Sequence, residues 1–257
     1  MSIKIASWNV NSIKARLEHV KRWLESNQPD LLMIQELKGL EFPSDAFEEI
    51  GYQSEAVTQK AYNGVAILSK EPQKKILDQL PGDKTDEQAR YLEIEYNNIR
   101  VINIYLPNGN PVDPDSEKYP YKLKWMDRLY AHLSELRYNN IPFLIGGDFN
   151  VIPHDNDCHD PKAWNGDALF RPETHSKWRA LLNLGLTDAF RTLNTEGNQY
   201  TFWDYQRGAW PQNKGIRIDH FLLSPTITDR LKGCTIDKQP RGEEKASDHT
   251  PIILEIK

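Results

Sequence analysis

The segment Ile141-Pro142-Phe143-Leu144-Ile145-Gly146-Gly147-Asp148-Phe149-Asn150 constrains the fold of this chain more than any other. An apolar run of strand length stops at two glycines, and an acid and an amide follow at once. A buried strand in an α/β protein delivers what stands at its carboxyl end into the crevice where ligands bind. The glycines let the backbone bend closely there, and Asp148 and Asn150, two apart on extended chain, point the same way. One carboxylate beside one amide on a rigid mount suits holding and activating a water. Gly, Asp and Asn are equally the ordinary residues of a turn after a strand, so the segment decides only in company with other strand ends.

Strand signals recur at 2–8, 30–35, 52–57, 64–69, 91–96, 100–105, 142–148, 199–204, 217–224 and 250–256. Helical spacing interleaves at 14–27, 43–50, 116–138 and 173–184. Tyr96-Asn97-Asn98-Ile99 reads as a hairpin turn, and 82–88 and 107–120 read as long surface loops. No repeat, low-complexity tract or linker interrupts the pattern. The expectation is one α/β domain over 1–257. It is a four-layer sandwich of two mainly antiparallel sheets packed face to face and flanked by helices.

With 39% hydrophobic and 27% charged residues, the composition is that of a soluble globular protein. No apolar stretch approaches membrane-spanning length, and the start shows no signal-peptide core. Cys158 and Cys234 are the only cysteines, which fits a reducing compartment. A cytoplasmic protein without a membrane partner is expected. The net charge of −5 argues mildly against nucleic acid, though binding depends on the local field. Basic residues cluster at Lys14, Arg16, Lys21 and Arg22, at Lys118, Lys122, Lys124 and Arg128, and at Arg207, Lys214 and Arg217; most read as solvated faces.

Further strand ends carry polar residues. Asn9 and Asn11 follow the first strand, Glu36 follows Leu31-Leu32-Met33-Ile34-Gln35, and Tyr105 is followed by Asn108. Asp219 and His220 interrupt an apolar stretch, where Asp219 could be a buried acid paired with Arg217. Ser247-Asp248-His249 precedes the final strand. If these acids converge, repulsion and desolvation raise some of their pKa values unless a cation compensates. An oxygen-rich set of Glu36, Asp148 and Asp248 with amides from Asn9 and Asn150 suits Mg²⁺ or Mn²⁺. The stretch 154–160 holds His, Asp and Cys, but its spacing matches no closed zinc site and its content suits a turn.

Trp8-Asn9, Gln35-Glu36-Leu37-Lys38, Gly147-Asp148-Phe149-Asn150, Arg217-Ile218-Asp219 and Ser247-Asp248-His249 occur in this order. Together they resemble the exonuclease III family of AP endonucleases, within the endonuclease/exonuclease/phosphatase superfamily. The likeness runs from residue 3 to residue 254. Gln35–Lys38, Tyr200-Thr201-Phe202-Trp203 and Gly215–Ser224 point to its DNA-repair branch. The resemblance implies that Glu36 binds a divalent metal, Mg²⁺ or Mn²⁺, with Asn9, Asp248, Asp148 and Asn150 in or near its shell. It implies that Asp148 orients and deprotonates the attacking water with help from Asn150, and that His249, held by Asp219, bonds a phosphate oxygen. Tyr105 would touch the phosphate or assist the leaving oxygen. Asn108 would contact the DNA backbone, and Phe202, Ile216 and Ile218 would line a pocket for an extrahelical abasic sugar.

Two departures stand out. Some family members have an acid where this chain has Asn11, and some have tryptophan where it has Ile216. The loop Gly208–Gln212, with Trp210, could wedge into a duplex or pack locally. Ser247 resembles no nucleophile elbow, so direct water attack is expected rather than a covalent intermediate. The implied activity is a monomeric, Mg²⁺-dependent DNA-repair phosphodiesterase. It would incise double-stranded DNA 5′ to abasic sites and clear damaged 3′ ends, as AP endonuclease and 3′→5′ exonuclease. The alternatives are a superfamily phosphatase on a small or lipid phosphate, and an inactive DNA-binding module.

Overall fold

In the computed structural model, which describes residues 2–257, the apolar runs and alternations become twelve strands and six α-helices. The first half holds β1 (Ile3–Asn9), α1 (Ile13–Asn27), β2 (Leu31–Gln35), α2 (Ser44–Glu48), β3 (Gln53–Val57), β4 (Val65–Ser69), β5 (Lys74–Leu77), β6 (Tyr91–Tyr96) and β7 (Ile99–Tyr105). The second holds α3 (Lys118–Tyr138), β8 (Phe143–Asp148), α4 (Pro172–Asn183), β9 (Thr187–Asp188), α5 (Ala189–Leu193), β10 (Asp219–Leu223), α6 (Pro225–Thr228), β11 (Leu231–Ile236) and β12 (Ile252–Ile256).

Two six-stranded sheets result, ordered β11-β12-β1-β2-β4-β3 and β5-β6-β7-β8-β10-β9. Each contains one parallel pair, β1–β2 and β7–β8, and all other pairs are antiparallel. A parallel pair needs a long crossover, and α1 and α3 supply them. α1 buries Val20, Trp23 and Leu24 on the outer face of the first sheet. α3 lays Trp125, Met126, Leu129, Leu133 and Leu136, at spacings of one, three and four, on the second, beside α4. Between the sheets Met33, Ile67, Ile94, Val101, Phe221 and Leu254 form the central core. The four-layer sandwich is therefore the architecture expected. β2, β4 and β8 are buried on both faces, which is why they read as continuous apolar runs rather than alternations.

Asn97 and Asn98 both take positive φ, 50° and 60°, closing the hairpin between β6 and β7. The expected strand at 199–204 is not one: Phe202 makes only isolated bridges, to Ile216 and His249. That segment threads between two loops instead of lying in a sheet. β5 and β11 escape the sequence reading because edge strands carry lysine and polar residues that hide the apolar pattern. Among the described residues no helix is long and apolar enough to cross a membrane.

Candidate active site

One edge of the sandwich gathers the polar strand ends from both sheets. Asn9 stands opposite Gln35 in the first sheet, with Glu36 just beyond. In the second sheet Tyr105 lies opposite Asp148, and Asp148 opposite Asp219. Gly147 permits this arrangement. Its φ is +138°, and a Cβ there would lie 2.0 Å from the Ile104 carbonyl oxygen. No side chain fits so close to a neighbouring strand, and the residue after it is thereby set at the rim.

A chain of hydrogen bonds joins the two sheets. The Asn9 amide nitrogen donates to Glu36 Oε1 at 2.9 Å and to Asp148 Oδ2 at 3.0 Å. Its oxygen is turned away to accept the Asn11 N–H at 3.0 Å, so Asn9 meets the carboxylates as a donor. Asp148 Oδ1 accepts the Asn150 N–H at 2.9 Å. Asn150 accepts from the Asn108 amide at 3.0 Å and donates to the Leu106 carbonyl at 2.9 Å, bracing the loops after β7 and β8. His249 Nδ1 lies 2.9 Å from Asp219 Oδ2, and its Nε2 is 3.7 Å from Asp148 Oδ2. Asp219 therefore pairs with His249 and not with Arg217. Thr201 Oγ1 accepts the N–H groups of Ile218 and Asp219, both at 3.1 Å, which fixes the start of β10.

Burial sets the electrostatics. Asp148 is pushed up to about 7 by desolvation, against the pull of His249 and with Asp219 and Glu36 adding to the rise. Desolvation opposes charge on His249, but the carboxylates of Asp219 and Asp148 outweigh it and lift the ring to about 10. Tyr105 is raised well above 10.0, first by burial and then by Glu36 and Asp148, so its phenol keeps its proton. Burial also opposes ionisation of Glu36, yet the Lys38 ammonium, 2.7 Å away, and the Asn9 amide hold it below its ordinary value.

Glu36, Asp148 and His249 each place a ligand atom within 4.8 Å of the others, the only such group among the described residues. Two carboxylates converging on a spot already attended by the Lys38 ammonium is a donor set that fits a hard divalent cation. Asp248 lines the same cavity but lies outside that tight group, its Oδ1 bonded by Asn11 at 3.1 Å. Asn11 thus acts as a donor to Asp248 while accepting from Lys38. At 154–160, Asp157 is held by Arg217 at 2.7 Å and by Arg191, and Cys158 is a free, buried thiol.

The cavity at this edge has a volume of about 360 Å³ and is lined by Glu36, Tyr105, Asn108, Asp148, Asn150, Phe202, Ile216, Ile218, Asp248 and His249. Asn9 and Asp219 stand behind it. The residues expected to serve catalysis, metal binding and substrate binding are therefore brought to one place. Phe202 packs edge-on to His249, with ring centroids 5.0 Å apart. Trp210 packs against Trp203 at 4.8 Å and under the Arg241 guanidinium, so local packing accounts for it. The exposed tip of its loop is Tyr205-Gln206-Arg207 instead.

Two residues of the basic clusters are not solvated. Lys122 is fully buried and its ammonium donates to the main-chain carbonyls of Asn108 and Asn150, at 3.0 and 2.5 Å. Arg217 is fully buried between Asp157 and Asp188. Nothing in the linear sequence marks Lys122. Thr201 and Lys38 at least fall inside conspicuous motifs.

Over residues 6–249 the sequence matches the endonuclease/exonuclease/phosphatase family. The chain belongs to that family. Within it, the exonuclease III branch lies near: the chain is 35% identical to exodeoxyribonuclease III of Haemophilus influenzae over 99% of its own length and all of that relative's. An AP endonuclease from Archaeoglobus fulgidus superposes with a TM-score of 0.92 at 37% identity, covering 98% of both chains. The Neisseria 3′ phosphatase NExo, solved bound to a product DNA hairpin, superposes with a TM-score of 0.95 at 36% identity, covering 99% of both. The resemblance of the motifs thus extends to the whole chain.

Proposed function

We propose that this edge hydrolyses phosphodiesters of double-stranded DNA, incising 5′ to abasic sites and clearing nucleotides or phosphates from 3′ ends. The coarser statement rests on the relatives: a chain of this branch, matching nucleases end to end, is a DNA-repair nuclease. The observation that carries the chemistry is Asp148, a buried carboxylate lifted to about 7 and set 3.7 Å from a histidine that is itself held by Asp219. A general base works best when its pKa lies near the working pH.

In this reading Asp148, oriented by the Asn9 amide and the Asn150 N–H, takes the proton of the attacking water. The water oxygen bonds to phosphorus, the P–O3′ bond breaks, and the 3′ oxygen leaves with a proton. His249, charged because Asp219 and Asp148 surround it, donates from Nε2 to a phosphate oxygen as negative charge develops there. Tyr105 keeps its proton and donates it toward the phosphate or the departing oxygen. Asn108 positions the backbone, and Phe202, Ile216 and Ile218 take the bare sugar. Glu36 and Asp148, with Asp248 nearby, would hold Mg²⁺ or Mn²⁺, which when bound supplies Lewis-acid stabilisation of the phosphate or leaving oxygen.

The test is one gel of end-labelled duplexes carrying an internal abasic analogue, a recessed 3′ end or a 3′-phosphate. Cleavage at the abasic analogue with products ending in 3′-hydroxyl is expected. Turnover of a small phosphate ester with none of the duplexes cut would replace this reading with a phosphatase. Duplex binding with no cleavage of any substrate would leave only a binding module.

A further inference from the structure

Phe202, Ile216 and Trp164 line the phosphate cavity and also wall a second, larger cavity of about 600 Å³ beside it. Small-molecule sites occupy roughly 300–1,000 Å³, so this neighbour is of ligand size. Two segments far apart in sequence build it, one carrying His159 and Trp164 and the other Phe202, Gln206, Lys214 and Ile216. Two aromatic side chains stand where the cavities adjoin. The Trp164 indole N–H is a buried donor without a partner. Gln206, Arg207 and Lys214 add donors along the rest of the wall, and Asp160, Asp167 and Asp204 add carboxylate acceptors.

Incision at an abasic site and removal of a 3′-terminal nucleotide break the same P–O3′ bond. In both, the sugar on the 3′ side of the phosphate must enter beside Asp148 and His249. An abasic sugar ends at C1′, whereas a terminal nucleotide carries its base from that carbon. The apolar wall of Phe202, Ile216 and Ile218 suits the sugar alone, and a base attached to it needs a further space.

Building on the DNA-hydrolase reading above, we propose that the adjoining groove seats the base of an unpaired 3′-terminal nucleotide, between Trp164 and the Phe202 side of the phosphate cavity. Stacking on an aromatic face tolerates every base, and the mixed donors and acceptors favour no single Watson–Crick edge. The groove therefore accepts purines and pyrimidines alike. It lets one phosphate cavity serve both a bare sugar and a complete nucleotide.

Ala163 is exposed and lines the groove without lining the phosphate cavity, so Ala163→Phe fills the groove and leaves the hydrolytic residues untouched. Single-turnover rates are compared on a recessed duplex with an unpaired 3′-terminal nucleotide and on a duplex with an internal tetrahydrofuran site. The expected result is a loss of roughly tenfold on the terminal nucleotide, the scale of one lost base stack, with abasic incision within about twofold of wild type. A second readout is 2-aminopurine placed at the unpaired 3′ terminus and bound by Asp148→Asn protein. Its fluorescence should be quenched, and Ala163→Phe added to that protein should relieve the quenching. Equal loss on both substrates, or no loss on either, overturns the groove assignment while the hydrolase reading stands. A wild-type protein that cuts neither duplex overturns the hydrolase reading itself.

Discussion

Acidification should reveal His220 as a histidine held neutral. Its Nδ1 accepts from Arg217 Nη1 at 2.9 Å and its Nε2 donates to the Val151 carbonyl at 2.9 Å, so a second proton would break the Arg217 contact. Burial, reinforced by the Arg217 charge, pulls the ring from 6.5 down to about 4. A histidine depressed in this way contributes stability that is full above its unfolded pKa and is lost as pH falls toward its folded pKa. At pH 5 the unfolded chain binds a proton on this ring and the native chain does not. One pKa unit is worth about 1.36 kcal/mol, which puts the loss between pH 7 and pH 5 at about 2 kcal/mol. Asp148 and His249 are also shifted, so the informative quantity is a difference between variants in which their contributions cancel. His220→Gln, compared with wild type by urea denaturation, should cost about 2 kcal/mol more at pH 7 than at pH 5. An equal cost at both values, or a larger one at pH 5, would mean that the native ring is already charged and would refute the reasoning.

Asp148→Asn should abolish most abasic incision while leaving abasic-DNA affinity nearly intact; a single-turnover rate equal to wild type would remove Asp148 as the base. Activity should vanish with EDTA and return with Mg²⁺, and isothermal titration should show divalent binding that Glu36→Gln weakens; EDTA-resistant cleavage would dismiss the metal. Gly147→Ala should lose about 3 kcal/mol of stability or fail to fold, because its Cβ would stand 2.0 Å from the Ile104 oxygen at a φ of +138°. Wild-type denaturation midpoints for that variant would show that β7 and β8 can separate without penalty.

The candidate site was legible because its members sit at the ends of strands, where an apolar run in the sequence meets a polar or charged residue. Glu36 and Asp148 follow such a run and His249 stands just ahead of one, and the interleaved helices implied the layers around them. What stayed hidden depends on partners distant in the chain. Lys122 resembles any lysine on an amphipathic helix until the loops after β7 and β8 fold over it. Arg217 is buried only because Asp157 and Asp188 arrive from other elements, which also frees Asp219 for His249. The 199–204 stretch has strand composition, but its hydrogen bonds go to two loops, a destination that β-propensity cannot encode. The groove beside Trp164 is a product of two distant segments and has no linear signature.

The pairing of β12 with β1, with Leu254 opposite Ile5, bears on when the candidate site is assembled during synthesis. Asp248 and His249 lie just ahead of β12, with Thr250 and Pro251 between, so they are positioned only when that strand docks beside β1. A ribosome that has already delivered Asn9, Glu36 and Asp148 needs on the order of ten seconds more to reach His249, at about 5–20 residues per second. During that interval the nascent polypeptide carries most of the acids but not the imidazole, and β1 lacks its antiparallel neighbour. On the proposed roles of Asp148 and His249, hydrolysis is thereby tied to completion of the first sheet by β12.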